Sequence, residues 1–275
     1  MSLLNAASSI YSKLLLIPTQ FRSLDQSELP QGIHSTYTFT TVCINTTIYL
    51  PWLVSRCMKN GVVFKRAVVE HVVDATLLHA TLKPANLVVN CTGLMVRNLG
   101  GVEDKTVVPA RGQVVVVRND PGAMANVSNA TSKTGELTYM MSRPGGKLNI
   151  HKQVLLHPLT LFTGGGTILG GCYQVGNWNP FPDPDLAENI KTNCLALYPG
   201  LMRGRDMNEW SIIRHGVGLR PFRPQGVRLE TEHVKGIPVV HNYGHGGWGY
   251  QSSYACAAVV AQLVEREEVM AKAML

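Results

Sequence analysis

Hydrophobic positions change their spacing along this chain. From Ile44 to Met58 they recur at the interval of an amphipathic helix, and Lys59-Asn60-Gly61 supplies a usual helix stop. The spacing predicts a helix there. Val62 to Val69 is β-rich and reads as a strand, and Leu87-Val88-Val89-Asn90 reads as a second, shorter one ahead of a Cys91-Thr92-Gly93 turn. A strand ending in such a turn is typical of a nucleotide-binding sheet, whose ligand sits beyond the strand's C-terminal end. From Gly112 to Glu230 alternating segments dominate, among them Val114 to Val117, Leu137 to Met141 and Val227 to Glu230, and this is the pattern of antiparallel sheet. The last block returns to a strand at Val239-Val240-His241, a glycine turn and a helix from Ser252 to Glu267. The chain is thus expected to leave one domain and come back to it.

Composition narrows this picture only slightly. A chain of 275 residues with 45% hydrophobic content has material for one large core or two modest ones, and its 16% charged fraction argues against disorder. The formal charge of +7 is scattered without a basic run, which argues against nucleic-acid binding. Six cysteines occur without a Cys-x-x-Cys pair, fitting reduced, mostly buried thiols better than a disulfide frame or a zinc site. The apolar run from Leu14 to Pro18 is far too short to span a membrane. His215, His241 and His245 lack metal-ligand spacing and read as packing or capping residues, so no metal is predicted.

The most informative stretch runs from His241 to Ser253, where glycines at positions 244, 246, 247 and 249 lead straight into the last helix. Glycine admits positive φ and lets a ligand approach bare backbone, while the first helical turn offers amides with no partner inside the helix. Such a turn suits an anion or a flat ring. On its own it reads equally as a glycine-rich loop before a capped helix. By the same standard Arg220 alone is an ion-pair residue, Tyr139 and Tyr173 are strand aromatics, and Val69 and Cys91 are ordinary buried residues.

The turn His241-Asn242-Tyr243-Gly244-His245-Gly246-Gly247-Trp248-Gly249-Tyr250-Gln251 is similar, almost residue for residue, to the C-terminal flavin-binding turn of the D-amino acid oxidases. Three more blocks resemble that family in order. They are Val88 to Leu94 with Pro109-Ala110-Arg111-Gly112-Gln113, then Ile168 to Trp178, then Arg214 to Pro221, within a likeness running from about Phe39 to Val264. The resemblance implies an α/β fold with an incomplete Rossmann-like FAD-binding domain, plus an antiparallel-sheet substrate-binding domain of α+β type. Its implied boundaries are a divergent N-terminal segment with part of the substrate domain (1–38), part of the FAD-binding domain (39–104), the substrate-binding domain (105–230) and the C-terminal part of the FAD-binding domain (231–275).

The resemblance also implies an activity, the oxidative deamination of neutral D-amino acids to imino and keto acids with ammonia and hydrogen peroxide. FAD would carry the hydride step, so the protein supplies binding and orientation. Arg220 matches the carboxylate-binding arginine, Tyr139 and Tyr173 the two active-site tyrosines, and the Gly247 carbonyl faces the substrate amine. A tyrosine at position 173, where the aspartate-specific relatives carry arginine, favours neutral substrates. Gly246, Gly247, Trp248, Gly249, Tyr250 and Gln251 would surround the flavin ring and ribityl chain, with Val69, Cys91 and Gly93 toward the adenosine and diphosphate. A peroxisomal or cytoplasmic location and a homodimer are compatible with this reading, although Ala273-Met274-Leu275 is a poor likeness of a Ser-Lys-Leu address.

Two departures stand against that pattern. The family opens with a strand, a Gly-x-Gly-x-x-Gly turn and a helix, and no such sequence is expected anywhere in this chain. Losing it is expected to leave a dangling sheet edge and an open apolar face. In addition, Lys147 to Gly164 interrupts what should be a short connection, and it reads as a translated intron. Gly146-Lys147, Leu159-Thr160 and Thr163-Gly164 can be encoded by donor-like, branch-like and acceptor-like sequences. The competing reading is a degenerate, non-catalytic relative or partner-binding fragment.

Overall fold

The computed structural model describes residues 22–25, 27, 36–39, 43–81, 83–122, 124–127, 136–143, 165–202 and 209–273. The interruption from Lys147 to Gly164 and the segment from Met1 to Gln20 lie outside the described residues. Regular elements follow in chain order as β1 (Arg22–Ser23), β2 (Tyr37–Thr38), α1 (Thr46–Lys59), β3 (Val88–Asn90), β4 (Val108–Val117), β5 (Ala125–Val127) and β6 (Glu136–Ser142). Then come β7 (Thr167–Cys172), β8 (Gln174–Val175), α2 (Pro184–Leu197), β9 (Ile212–Phe222), β10 (Arg228–Val234), β11 (Ile237–Tyr243) and α3 (Gly249–Ala273).

Strand β4 organises the larger sheet. The order is β5-β6-β7-β4-β8, with β9 also paired to β4 antiparallel from Val108 opposite Phe222 to Val117 opposite Ile212. Side chains alternate along a strand, so β4 serves two faces. Val115 and Val117 face the core and pack with Met140, Leu169 and the α2 residues Leu186, Ala187 and Ile190. Helix α2 starts where Asp183 caps the Leu186 amide at 3.1 Å and Pro184 presets the first turn. The Arg111-Gly112-Gln113 element fastens this arrangement. Arg111 Nε donates to the Asn179 carbonyl at 2.9 Å, Arg111 Nη2 to the Phe181 carbonyl at 2.7 Å, and Gln113 Nε2 to the Asp183 carbonyl at 2.6 Å.

The smaller sheet has the order β10-β11-β3, and β11 runs parallel to β3 with Val239 opposite Val88 and His241 opposite Asn90. Residues far apart in sequence therefore share one sheet, as expected of a chain that leaves and returns. Val72, Leu99 and Val239 form its core, and a neighbouring cluster holds Val96, Val107 and Tyr243.

The structure corrects one expectation. Val62 to Val69 forms no strand, because β-branched composition describes a surface that fits a ladder without supplying a partner for it. Its side chains from Val62 to Val68 stay exposed, Val68 at 92% and Val63 at 66%. Among the described residues no strand pairs with the outer edge of β3, and Val89 on that strand is exposed. Helix α1 matches its predicted span and α3 runs longer than predicted at both ends. Among the described residues no helix is long and apolar enough to cross a membrane.

Candidate active site

The face of the larger sheet away from α2 is paved with glycine. Register places Tyr139 of β6 opposite Gly170 of β7, Gly170 opposite Val114 of β4, and Val114 opposite Gly216 of β9. In the next row Gly112 stands opposite Gly218. These glycines make room for side chains that lie flat on the sheet. A Cβ at Gly170 would stand 2.0 Å from the Tyr139 ring, and one at Gly112 would stand 2.2 Å from Arg220 Nη1.

Arg220 sits near the end of β9. Its Nη1 donates to the Cys172 carbonyl at 3.2 Å, and its guanidinium carbon lies 5.4 Å from the centre of the Tyr173 ring. The Tyr173 ring is held edge-on by Phe222, with centroids 6.3 Å apart. Phe222 in turn bridges to His245, which fixes the start of the glycine turn against β9. At Gly246 (φ +56°) a Cβ would come 2.8 Å from Tyr173 Oη, and at Gly247 it would lie 3.6 Å from that ring and 3.9 Å from Arg220 Cδ. Bare backbone thus closes over the Tyr173–Arg220 pair. Burial raises the Tyr139 phenol above its ordinary pKa, and the Arg220 charge acts in the opposite direction.

Arg220, Tyr139, Tyr173 and Gly247 are therefore brought onto one surface. Trp248 is 64% exposed beside it, and Gly249, Tyr250 and Gln251 begin α3. Cys91 and Gly93 lie in the turn after β3, where Gly93 (φ +58°) would place a Cβ 3.7 Å from Pro221. That turn therefore abuts the end of the Arg220 strand. Val69 is elsewhere, packed with Val72, Leu99 and Val239. Gly244-His245-Gly246-Gly247-Trp248-Gly249 itself carries the Gly-x-Gly-x-x-Gly spacing between β11 and α3. This corrects the expectation that no such spacing occurs in the chain.

A polar chain through the buried His241 and Asn90 was missed entirely. Glu232 Oε2 lies 3.1 Å from His241 Nε2, His241 Nδ1 lies 3.1 Å from Asn90 Nδ2, and Asn90 Oδ1 accepts from the Thr92 amide at 3.2 Å and its hydroxyl at 2.7 Å. Because Asn90 Oδ1 is the acceptor there, its Nδ2 donates to His241 Nδ1, and the imidazole proton belongs on Nε2 facing Glu232. Burial first, and then the Arg228 charge, lower the His241 pKa, so the ring is held neutral. Its presence in the quoted glycine segment was the only signal available. No group of three or more His, Cys, Asp or Glu residues is placed to hold a metal among the described residues.

The family model described as FAD dependent oxidoreductase, DAO, matches residues 6–263. The chain belongs to this family. It is 45% identical over 256 residues to a D-amino-acid oxidase of Fusarium vanettenii, covering 93% of this chain and 66% of the relative. A D-amino-acid oxidase of Schizosaccharomyces pombe is 33% identical, covering 86% of this chain and 62% of that protein. The chain thus spans less than two thirds of the length of these curated relatives. Among solved structures, glycine oxidase from Geobacillus kaustophilus aligns with a TM-score of 0.47 at 19% identity, covering 67% of this chain and 42% of that one.

Gly246 and Gly247 present main chain free of side-chain bulk above Tyr173, and the exposed Trp248 continues the same surface.

Proposed function

We propose that this chain carries the substrate face and the ring-side turn of a FAD-dependent D-amino acid oxidase. The reaction is oxidative deamination of neutral D-amino acids to imino acids, which hydrolyse to keto acids and ammonia, with oxygen reduced to hydrogen peroxide. FAD, when bound, accepts the α-hydrogen as hydride. The residues of the chain bind and orient. Arg220 takes the substrate carboxylate, since a planar guanidinium suits that group as a two-pronged donor. Tyr139 donates its hydroxyl to the same carboxylate and stays protonated, consistent with its raised pKa. Tyr173 forms the wall over Arg220, and the Gly247 carbonyl accepts from the substrate amine. Gly246 to Gln251 would hold the flavin ring and ribityl chain, with Cys91, Gly93 and Val69 on the adenosine and diphosphate side.

One observation carries this reading. Among the described residues Arg220 has no carboxylate partner, yet it is held against the Gly247 backbone and the Tyr173 ring with its charge directed along the glycine floor. A structural ion-pair arginine has no need of that setting. We assign residues 39–104 and 231–275 to the cofactor-binding domain and 105–230 to the substrate domain. Peroxisomal residence suits a peroxide-generating oxidase, and a homodimer suits the family.

The test is flavin absorbance together with peroxide release from D-alanine by the purified protein loaded with FAD. Flavin binding with peroxide release supports the reading. A protein that stays colourless and inert under saturating FAD would favour the non-catalytic alternative.

A further inference from the structure

The sheet face that carries Arg220 carries two more arginines that the reading above does not use. Arg214 lies six residues earlier on β9, opposite Val116, and an even separation puts it on the same face. Its guanidinium bends over Gly216, where a Cβ would stand 2.7 Å from Nη1. Arg143 follows β6 four residues after Tyr139 and therefore shares the Tyr139 face, with its backbone N–H donating to the Gly166 carbonyl at 3.0 Å. Burial lowers the Arg143 pKa and the Arg214 charge acts in the same direction, while Cys43, Tyr250 and Tyr139 act against it. None of these is a carboxylate. Among the described residues neither Arg143 nor Arg214 enters an ion pair.

Among the described residues the floor between Arg214 and Arg220 is bare. Gly218 has nothing within 4 Å of a Cβ position, whereas Gly112 opposite it is covered by the Arg220 guanidinium. Gly112 and Gly216, which bear the ends of Arg220 and Arg214, are diagonal neighbours across the β4–β9 pair, a spacing of roughly 7–8 Å in antiparallel sheet. An open trough with a cation at each end matches a ligand with two anionic groups on a short carbon chain. Like charges gathered without an acid gain from such a ligand what they lose by mutual repulsion.

We propose that Arg214, with Arg143 beside it, is a second anion subsite, and that the pocket also accepts D-amino acids whose side chains end in a carboxylate. The α-carboxylate lies on Arg220 and the distal carboxylate on Arg214. The assignment rests on Arg220 being the carboxylate anchor of the proposed oxidase. Tyr173 lines the wall next to Arg220 and shapes preference near the α-carbon, while Arg214 addresses the far end of a longer chain.

Titration calorimetry of the 275-residue chain with glutarate and with pentanoate, equal in carbon number but carrying one carboxylate, tests this directly. Glutarate should bind about tenfold or more tightly than pentanoate, the gain expected of one charge-assisted pairing. Arg214→Gln should remove that advantage and leave pentanoate affinity within about twofold, Arg214→Lys should keep part of it, and Arg143→Gln should reduce it less. An unchanged thermal midpoint for Arg214→Gln separates lost binding from lost folding. Glutarate preference surviving in Arg214→Gln, or no preference in the parent chain, overturns the subsite. Pentanoate affinity unaffected by Arg220→Gln would instead overturn the reading of Arg220 on which the subsite rests.

Discussion

In the larger sheet Tyr139 and Arg220 are placed by strand register and by the glycines beneath them. In the smaller sheet the Cys91-Thr92-Gly93 turn is placed by a side-chain relay from Glu232 through His241 and Asn90 to Thr92. The first device leaves its functional groups free to meet a ligand. The second spends its polar groups on one another. Substitutions should accordingly separate, with binding lost and folding kept in the larger sheet, and folding weakened in the smaller one.

The largest effect expected is at Arg220. Arg220→Ala leaves a carboxylate unpaired in a partly desolvated pocket, a loss of about 2–4 kcal/mol, or roughly thirtyfold to a thousandfold in apparent affinity. Steady-state saturation of the FAD-loaded protein with D-alanine measures it, and parent-like saturation would show the arginine to be structural. Gly112→Ala sharpens the point, because a Cβ 2.2 Å from Nη1 must displace the guanidinium and reproduce much of the loss with the arginine intact.

At His241 the relation reverses. His241→Leu strands Asn90 Nδ2, while Glu232 keeps its Arg228 partner, and the cost should be about 1–3 kcal/mol of unfolding free energy in a urea titration. Unchanged stability would mean that backbone pairing alone holds the turn.

A smaller effect follows from the lowered His241 pKa. Its ordinary value is 6.5 and burial depresses it in the folded state. The unfolded chain therefore binds the proton more readily, so the contribution is fully present above pH 6.5 and is lost as pH falls through that value toward the folded-state pKa. Stability should drop between about pH 7.5 and pH 5.5. His241→Gln, which cannot titrate, should flatten that drop; an identical pH profile would assign it to another group.

The smallest effect belongs to neither sheet. Tyr49 Oη and Tyr254 Oη meet at 3.4 Å on an exposed surface, and Tyr254→Phe should leave stability within about 0.5 kcal/mol. A larger loss would mean that the α1–α3 contact matters more to the fold than its exposure indicates.

These contrasts show what the sequence made legible. Alternation located β4, β6 and β10, helical spacing located α1, and the family blocks grouped Arg220, Tyr139, Tyr173 and Gly247. Val62 to Val69 misled because strand composition carries no information on whether a partner strand lies alongside. Arg143 and Arg214 escaped notice for a related reason. Parity along one strand gives a face, and only register across β6, β7, β4 and β9 shows that two such faces are the same. The relay through His241 joins residues 151 apart in sequence, beyond the reach of any local pattern.

Strand β4 is bonded along its length by β9 on one side and by β7 and β8 on the other. Its amides should be among the last in the molecule to exchange with solvent, since every route to opening them must first detach a neighbour. Gly112 belongs to that slow segment, so the floor proposed to receive a substrate is rigid beforehand, and little ordering entropy would be left to oppose binding. Any motion that admits ligand must come from the flanking turns.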